Sequence, residues 1–170
     1  MSAAVVIAFG TLIAVLAVMA GESVLSSYNA ALLRARGAVE PPGDVFRLMQ
    51  WAYPLGFVAL AVEGALTGPA AEPALAAGIL VFGLAKALKA WAISTLGARW
   101  SFRVLVPPGE PPIVAGPYRL IRHPNYLAVA GEIAGAALIV GAPLTGVVFL
   151  GGFGWLMRRR IAVEDRALGR

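Results

Sequence analysis

From Ser2 to Gly21 the chain carries no charged side chain, and long runs almost free of charge recur four more times before its end. A helix needs about 20 mostly apolar residues to cross the hydrocarbon core of a bilayer, where every backbone N–H and C=O must be satisfied within the segment. The first run, Ala3–Ala20, meets that length. The second extends from about Leu48 to Leu66 and holds one acid, Glu63; the third runs from Ala74 to Leu96, with Lys86 and Lys89 in its last third. Two shorter runs, Tyr126–Val140 and Leu144–Met157, flank Gly141-Ala142-Pro143. Each covers about 22 Å as a helix, which predicts a hairpin of short spans. A cleaved signal peptide fits the first run poorly, because no basic residue precedes it and it is too long. Composition agrees: 14% of residues are charged and 59% hydrophobic, against about 25% charged in a soluble domain. So apolar a chain is not disordered. The absence of cysteine excludes a disulfide scaffold, a thiolate metal site and thiol chemistry.

The basic residues give an orientation. All 14 fall in three segments: Arg34 to Arg47, Lys86 to Arg122, and Arg158 to Arg170. The two connections on the opposite side, Gly64–Pro73 and Gly141–Pro143, hold none. The positive-inside rule then predicts an all-α integral membrane bundle of five transmembrane helices, N-terminus outside and C-terminus cytoplasmic. It forms a single domain over residues 1–170, with two spans in 1–68 and a core in 74–170. The net charge of +5 would suit nucleic acid, but charge sorted by membrane side speaks for topology, so no nucleic-acid partner is expected. No internal repeat is visible, which removes the basis for an inverted-repeat transporter.

Five prolines fall between Pro107 and Pro117. That density forbids a helix and favours a stiff, extended connection. Trp100, Phe102, Val104 and Val106 alternate just before it and predict a short extended piece.

The densest polar cluster follows, Gly116-Pro117-Tyr118-Arg119-Leu120-Ile121-Arg122-His123-Pro124-Asn125-Tyr126, with the only histidine in the chain. Pro124 falls at the first position of the fourth helix. The free N–H groups of that helix start then face the cytoplasmic side, a ready anion site. On the bland reading, Arg119 and Arg122 only set topology and His123 caps the helix. In the tail, Arg158, Arg159 and Arg160 are what orientation demands, whereas the adjacent acids Glu164 and Asp165 are not. Either Glu164 pairs with Arg160 across one helical turn, worth a few tenths of a kcal/mol, or the acids hold a cationic or hydroxyl-rich ligand. Glu63 and Glu132 lie within apolar runs and are candidates by that fact alone. Against this, Glu63 is near enough to the outer end of its span to reach headgroups, and Glu132 could make an interhelical hydrogen bond. Gly131 and Gly135 are spaced for close helix approach, and close packing is also the reading for Gly151, Gly152 and Gly154.

Gly116-Pro117-Tyr118-Arg119 and Arg122-His123-Pro124-Asn125-Tyr126, followed by Glu132 and a late Arg160-xxx-Glu164-Asp165, resemble the isoprenylcysteine carboxyl methyltransferase family. These are small integral membrane enzymes related to phospholipid methyltransferases. The resemblance extends upstream through Ala90-Trp91-Ala92-Ile93, Leu96-Gly97 and Trp100, and so covers roughly Leu75 to Leu168. Ala128 and Glu164-Asp165 depart from the usual Gly and Glu-Glu of the family. The resemblance implies S-adenosyl-L-methionine as cofactor, held by Tyr118, Arg119, Arg122, His123, Pro124, Asn125, Tyr126, Glu164 and Asp165. It implies that Arg159 or Arg160 orients the acceptor, and that Glu132 or His123 serves as base if the acceptor is a hydroxyl; a carboxylate needs none. No metal is implied. Eukaryotic relatives act on prenylated protein C-termini, whereas small bacterial relatives look like enzymes that O-methylate long-chain alkylpyrones. With 12 Arg against 2 Lys and abundant Ala and Gly, the chain has the composition of a GC-rich prokaryote. A small lipophilic acceptor at the cytoplasmic face of the plasma membrane is therefore expected, with membrane lipid as the medium. The competing readings are N-methylation of a phospholipid amine and a small transport or assembly protein without enzymatic activity.

Overall fold

A computed structural model describes residues 2–169. It is all-helical: α1 (Ala3–Ala35), α2 (Phe46–Thr67), α3 (Glu72–Leu96), α4 (Pro124–Val140) and α5 (Pro143–Ala167), with 3-10 turns at Gly97–Arg99 and Gly116–Arg119. Among the described residues there is no strand. The alternating Trp100–Val106 piece makes only one isolated antiparallel bridge, Val39 with Val106. Two of the helices, α1 and α3, are long and apolar enough to cross a membrane, and α4 is a shorter apolar helix. Large apolar side chains stand exposed on all five, among them Ile13, Leu55, Leu80, Leu127 and Val147. Soluble monomers rarely present so much continuous apolar surface.

Two helices outrun the lengths expected from their apolar runs. α1 does not stop at Gly21-Glu22 but continues to Ala35, because Glu22 is paired inside the bundle with Lys89 (2.6 Å) and Lys86 (3.5 Å). α5 likewise runs unbroken past Met157 to Ala167, which puts Arg160, Glu164 and Asp165 on one rigid element. Between α4 and α5, Gly141 takes a left-handed conformation (φ 70°), which costs glycine nothing.

Helices α3 and α4 make the closest pairing. A methyl group built on Gly135 would lie 2.6 Å from the Phe82 backbone nitrogen, and one on Gly78 would lie 2.9 Å from the Gly135 carbonyl oxygen. The expected role of Gly131 and Gly135 is therefore met. That of Gly151, Gly152 and Gly154 is not, since nothing lies within 4 Å of their missing Cβ positions. The core joins α2, α4 and α5 through Phe57, Leu60, Ile133, Phe149 and Phe153. Its rings meet edge to face, Tyr53 with Phe57 at 4.9 Å and Phe57 with Phe149 at 5.5 Å. Glu63 lies in the last turns of α2, which ends at Thr67. Its carboxylate accepts from the Leu144 and Thr145 backbone N–H groups (3.1 and 2.6 Å) and so caps α5.

Buried polar groups of α1 pin the connection after α3. Asn29 Nδ2 donates to the carbonyls of Gly97 (3.2 Å) and Trp100 (2.8 Å), and the Phe102 N–H donates to Ser26 Oγ (2.7 Å). Trp100 is fully buried. One terminal guanidinium nitrogen of Arg103 donates to both oxygens of the Glu40 carboxylate, at 2.8 and 3.0 Å, a charge-assisted contact that ties the segment to the α1–α2 connection. Residues 97–106 thereby become a roof over one end of the bundle.

Candidate active site

Under that roof the start of α4 meets the tail of α5. Pro124 opens α4 with His123 at its N-cap. The His123 Nε2–H donates to Asp165 Oδ1 (3.0 Å), and Nδ1 lies 3.7 Å from Glu164 Oε2. Glu164 Oε2 also accepts from the Tyr126 hydroxyl at 3.0 Å. A carboxylate only accepts here, so Asp165 holds the imidazole with its proton on Nε2. The histidine and both tail acids, 42 and 38 residues apart along the chain from their partners, form one constellation.

It opens onto a cavity of about 700 Å³, within the range of sites for small molecules. Tyr118, His123, Asn125, Tyr126 and Glu164 line one end. Asn125 Oδ1 is buried without a hydrogen-bond partner among the described residues, an acceptor left for something else. Burial first, and then the nearby Glu164 carboxylate, push the Tyr118 phenol above its ordinary range. Glu22, Gln50, Tyr53 and Lys89 line the other end, with Val129 and Phe153 as apolar wall between.

The expected arginines are placed differently from one another. Arg119 and Arg122 are exposed and make no ion pair among the described residues, and neither lines the cavity. Arg159 is exposed and lies over the Trp155 ring at 5.1 Å. Arg160 alone is buried and lines the cavity. It does not pair with Glu164: its guanidinium donates to the Phe102 carbonyl and stands 3.7 Å from Asp44 Oδ2. One edge of the guanidinium is tied to the roof, while Arg160 Nε is buried with no hydrogen-bond partner among the described residues.

Glu132 is fully buried and not beside His123. It receives the Tyr53 hydroxyl in a hydrogen bond and pairs with Lys86 (3.0 Å) and Lys89 (3.3 Å). With Glu22 this makes a cluster of two acids and two ammonium groups drawn from α1, α3 and α4. Sequence reasoning assigned Lys86 and Lys89 to topology and overlooked Tyr53. The available signal was their i, i+3 spacing inside an apolar run, since charges there need partners. Pro124 is buried at the helix start and lines the cavity.

Among the described residues no three His, Asp or Glu side chains are arranged so that they could hold a metal ion. The profile of the Isoprenylcysteine carboxyl methyltransferase (ICMT) family matches residues 76–170. The chain is also 32% identical over 166 residues to "Uncharacterized protein YpbQ" of Bacillus subtilis (strain 168), a match that covers 94% of this chain and 96% of the relative. No solved structure matches it.

Proposed function

Since this chain belongs to the isoprenylcysteine carboxyl methyltransferase family, we propose that it is an S-adenosylmethionine-dependent O-methyltransferase of a lipophilic acceptor, carboxylate or hydroxyl. All five helices span the plasma membrane, with the C-terminus and the site on the cytoplasmic side. The first two spans, in residues 1–68, brace a cofactor-binding core in 74–170. The exposed apolar side chains on every helix support this arrangement, as does the confinement of basic residues to three segments.

One observation carries the reading: His123, Tyr126 and Glu164 converge at one end of a single cavity. The residues there fit the cofactor's groups. Glu164 accepts from an ammonium or a ribose hydroxyl, and the unpartnered Asn125 Oδ1 accepts another N–H. The first N–H groups of α4 suit a carboxylate, with Arg119 and Arg122 adding long-range positive charge. Asp165 orients His123 without reaching the cavity lining. When bound, S-adenosylmethionine supplies a methyl group on a sulfonium, which an oxygen displaces in line. The protein's own contribution is alignment and exclusion of water by the roof over residues 97–106. Arg160 supports that roof, and Glu132 belongs to the polar cluster at the opposite end.

Calorimetry of purified protein with S-adenosylmethionine tests the assignment. Removing a hydrogen bond to a charged group costs about 1.5–3 kcal/mol, so Glu164→Gln and His123→Ala each weaken binding by about 10-fold or more. Unchanged affinity in both rejects the site. The chain has no cysteine, so single cysteines report topology directly. In intact cells an impermeant maleimide labels Gly68→Cys but not Arg166→Cys, and the reverse result overturns the orientation.

A further inference from the structure

The cavity has a second polar end that the cofactor reading leaves unused. Lys89 is buried there, 3% exposed, with its ammonium 2.6 Å from Glu22 Oε2 and 3.3 Å from Glu132 Oε1. Lys86 backs the same two carboxylates at 3.5 and 3.0 Å. Two ammonium groups against two carboxylates leave the cluster neutral, so it is stable without a counter-ion from outside. An ammonium has three N–H donors. Glu22 Oε2 takes one of those of Lys89, and the two oxygens of Glu132, at 3.3 and 3.4 Å, share a second. Among the described residues the ring of Tyr53, 5.9 Å away, is its only other partner, while its side chain lines the cavity. Of the two acids, Glu22 lines the cavity and Glu132 lies behind it.

The two polar ends are matched in position. Tyr126 binds Glu164 at the first end, Val129 lies on the wall one turn further along α4, and Glu132 anchors the second end. Six residues of helix separate Tyr126 from Glu132, about 9 Å. Phe153 and Tyr53, with ring centroids 5.2 Å apart, close the space between with apolar surface. An acceptor whose acidic oxygen is taken by the cavity-facing Lys89 ammonium would hold that oxygen toward the first end, where the methyl donor would be bound, with its apolar body against the flanking wall.

We infer that Lys89, held by Glu22 and Glu132, receives the acidic oxygen of the methyl acceptor. This rests on the methyltransferase reading. In the transfer, the acceptor's oxygen–carbon bond forms as the carbon–sulfur bond of the sulfonium breaks, and the sulfur keeps the electron pair. A carboxylate acceptor releases no proton. A phenolic acceptor gives its proton to Glu22, the cavity-facing acid, and Lys89 then faces the phenolate.

The test uses two matched probes, 4-dodecylbenzoate and 4-dodecylphenol, which share ring and tail and differ only in the acidic group. Their binding to cofactor-free protein in nanodiscs is measured, together with S-adenosylmethionine affinity and, for a probe that turns over, kcat and KM. In Lys89→Met, affinity for the bound probe falls at least about 30-fold, close to 2 kcal/mol, while cofactor affinity stays within about threefold. Glu22→Gln takes a charge from beside Lys89 and tightens 4-dodecylbenzoate binding severalfold, which a purely structural ion cluster would not do. Binding of benzoate alone or phenol alone identifies which acid the subsite takes. Unchanged probe affinity in Lys89→Met overturns the inference, as does failure of the wild-type protein to bind either probe. Should Lys89→Met not fold, Glu22→Gln decides alone, and unchanged or weaker benzoate binding overturns it. Absence of cofactor binding by the wild-type protein would instead remove the reading beneath it.

Discussion

Gly135 offers the sharpest test of how the bundle holds its site. A methyl group there would meet the Phe82 backbone nitrogen at 2.6 Å, its Cβ at 2.8 Å and its Cα at 2.9 Å. Carbon atoms pack comfortably at about 3.5–4.0 Å, so Gly135→Ala forces α3 and α4 apart by close to 1 Å. The atoms met belong to backbone or to the root of a side chain, so no rotamer change relieves them. Overpacking of this kind costs about 1–3 kcal/mol. Gly151→Ala is the control, because nothing lies within 4 Å of that position. Both substitutions gain the same helix propensity, up to about 1 kcal/mol, and this cancels in the comparison. At about 2–4 °C per kcal/mol for a chain of this size, Gly135→Ala melts about 2–12 °C below Gly151→Ala, with the backbone contacts favouring the upper part. Thermal unfolding in detergent, followed by circular dichroism, measures the difference. Lys89 and Glu132 face each other across the same α3–α4 seam, so the cluster loosens along with it. Equal melting temperatures for the two variants would refute the packing argument.

Asn29→Ala leaves the Trp100 carbonyl without its donor, while the Gly97 carbonyl keeps the Trp100 N–H. An unmet buried group costs about 1–3 kcal/mol, so proteolysis within residues 97–106 accelerates about 5- to 150-fold; an unchanged rate means that Asn29 does not hold the roof. Tyr118 gives a pH signature. Its folded pKa lies above the unfolded value near 10, so the fold binds the phenolic proton more tightly than the unfolded chain does. That contribution is complete below about pH 10 and fades as pH rises toward the folded pKa. Tyr118→Phe flattens the fall in melting temperature above pH 10, and an identical slope in both proteins contradicts the assignment.

The five helices were legible because apolar run length and proline position are local signals, and Pro73, Pro124 and Pro143 each fall within the first two residues of a helix. Pairings across the chain were not. Nothing near Glu22 in sequence announces Lys89, 67 residues away, yet that pairing carries α1 past its expected end at Ala20. The capping role of Glu63 was hidden for the same reason: the N–H groups that it caps lie 81 and 82 residues further on. The meeting of His123 with Glu164 and Asp165 was expected from family resemblance, and spacing alone would not have given it. The stretch Gly151–Gly154 misled in the other direction, since small residues permit close approach without requiring a neighbour.

Arg160 shows why placement decides the meaning of a charge that orientation rules already explain. Three arginines follow one another at the same depth of α5, and helical geometry turns each about 100° from the next. Arg158 and Arg159 are turned outward; Arg160 is turned in, where its guanidinium meets the Phe102 carbonyl, Asp44 and the Phe46 ring. Asp44 Oδ2 has no hydrogen-bond partner and Arg160 stands 3.7 Å from it, so deleting the guanidinium strands a buried carboxylate, a change that costs about 3–5 kcal/mol when a buried pair is broken. The roof then loses its tie to the helix that carries Glu164 one turn later. Substituting Arg160 would thus disturb the cavity both directly, as a lining residue, and through the roof, whereas Arg159, exposed over Trp155, has neither route.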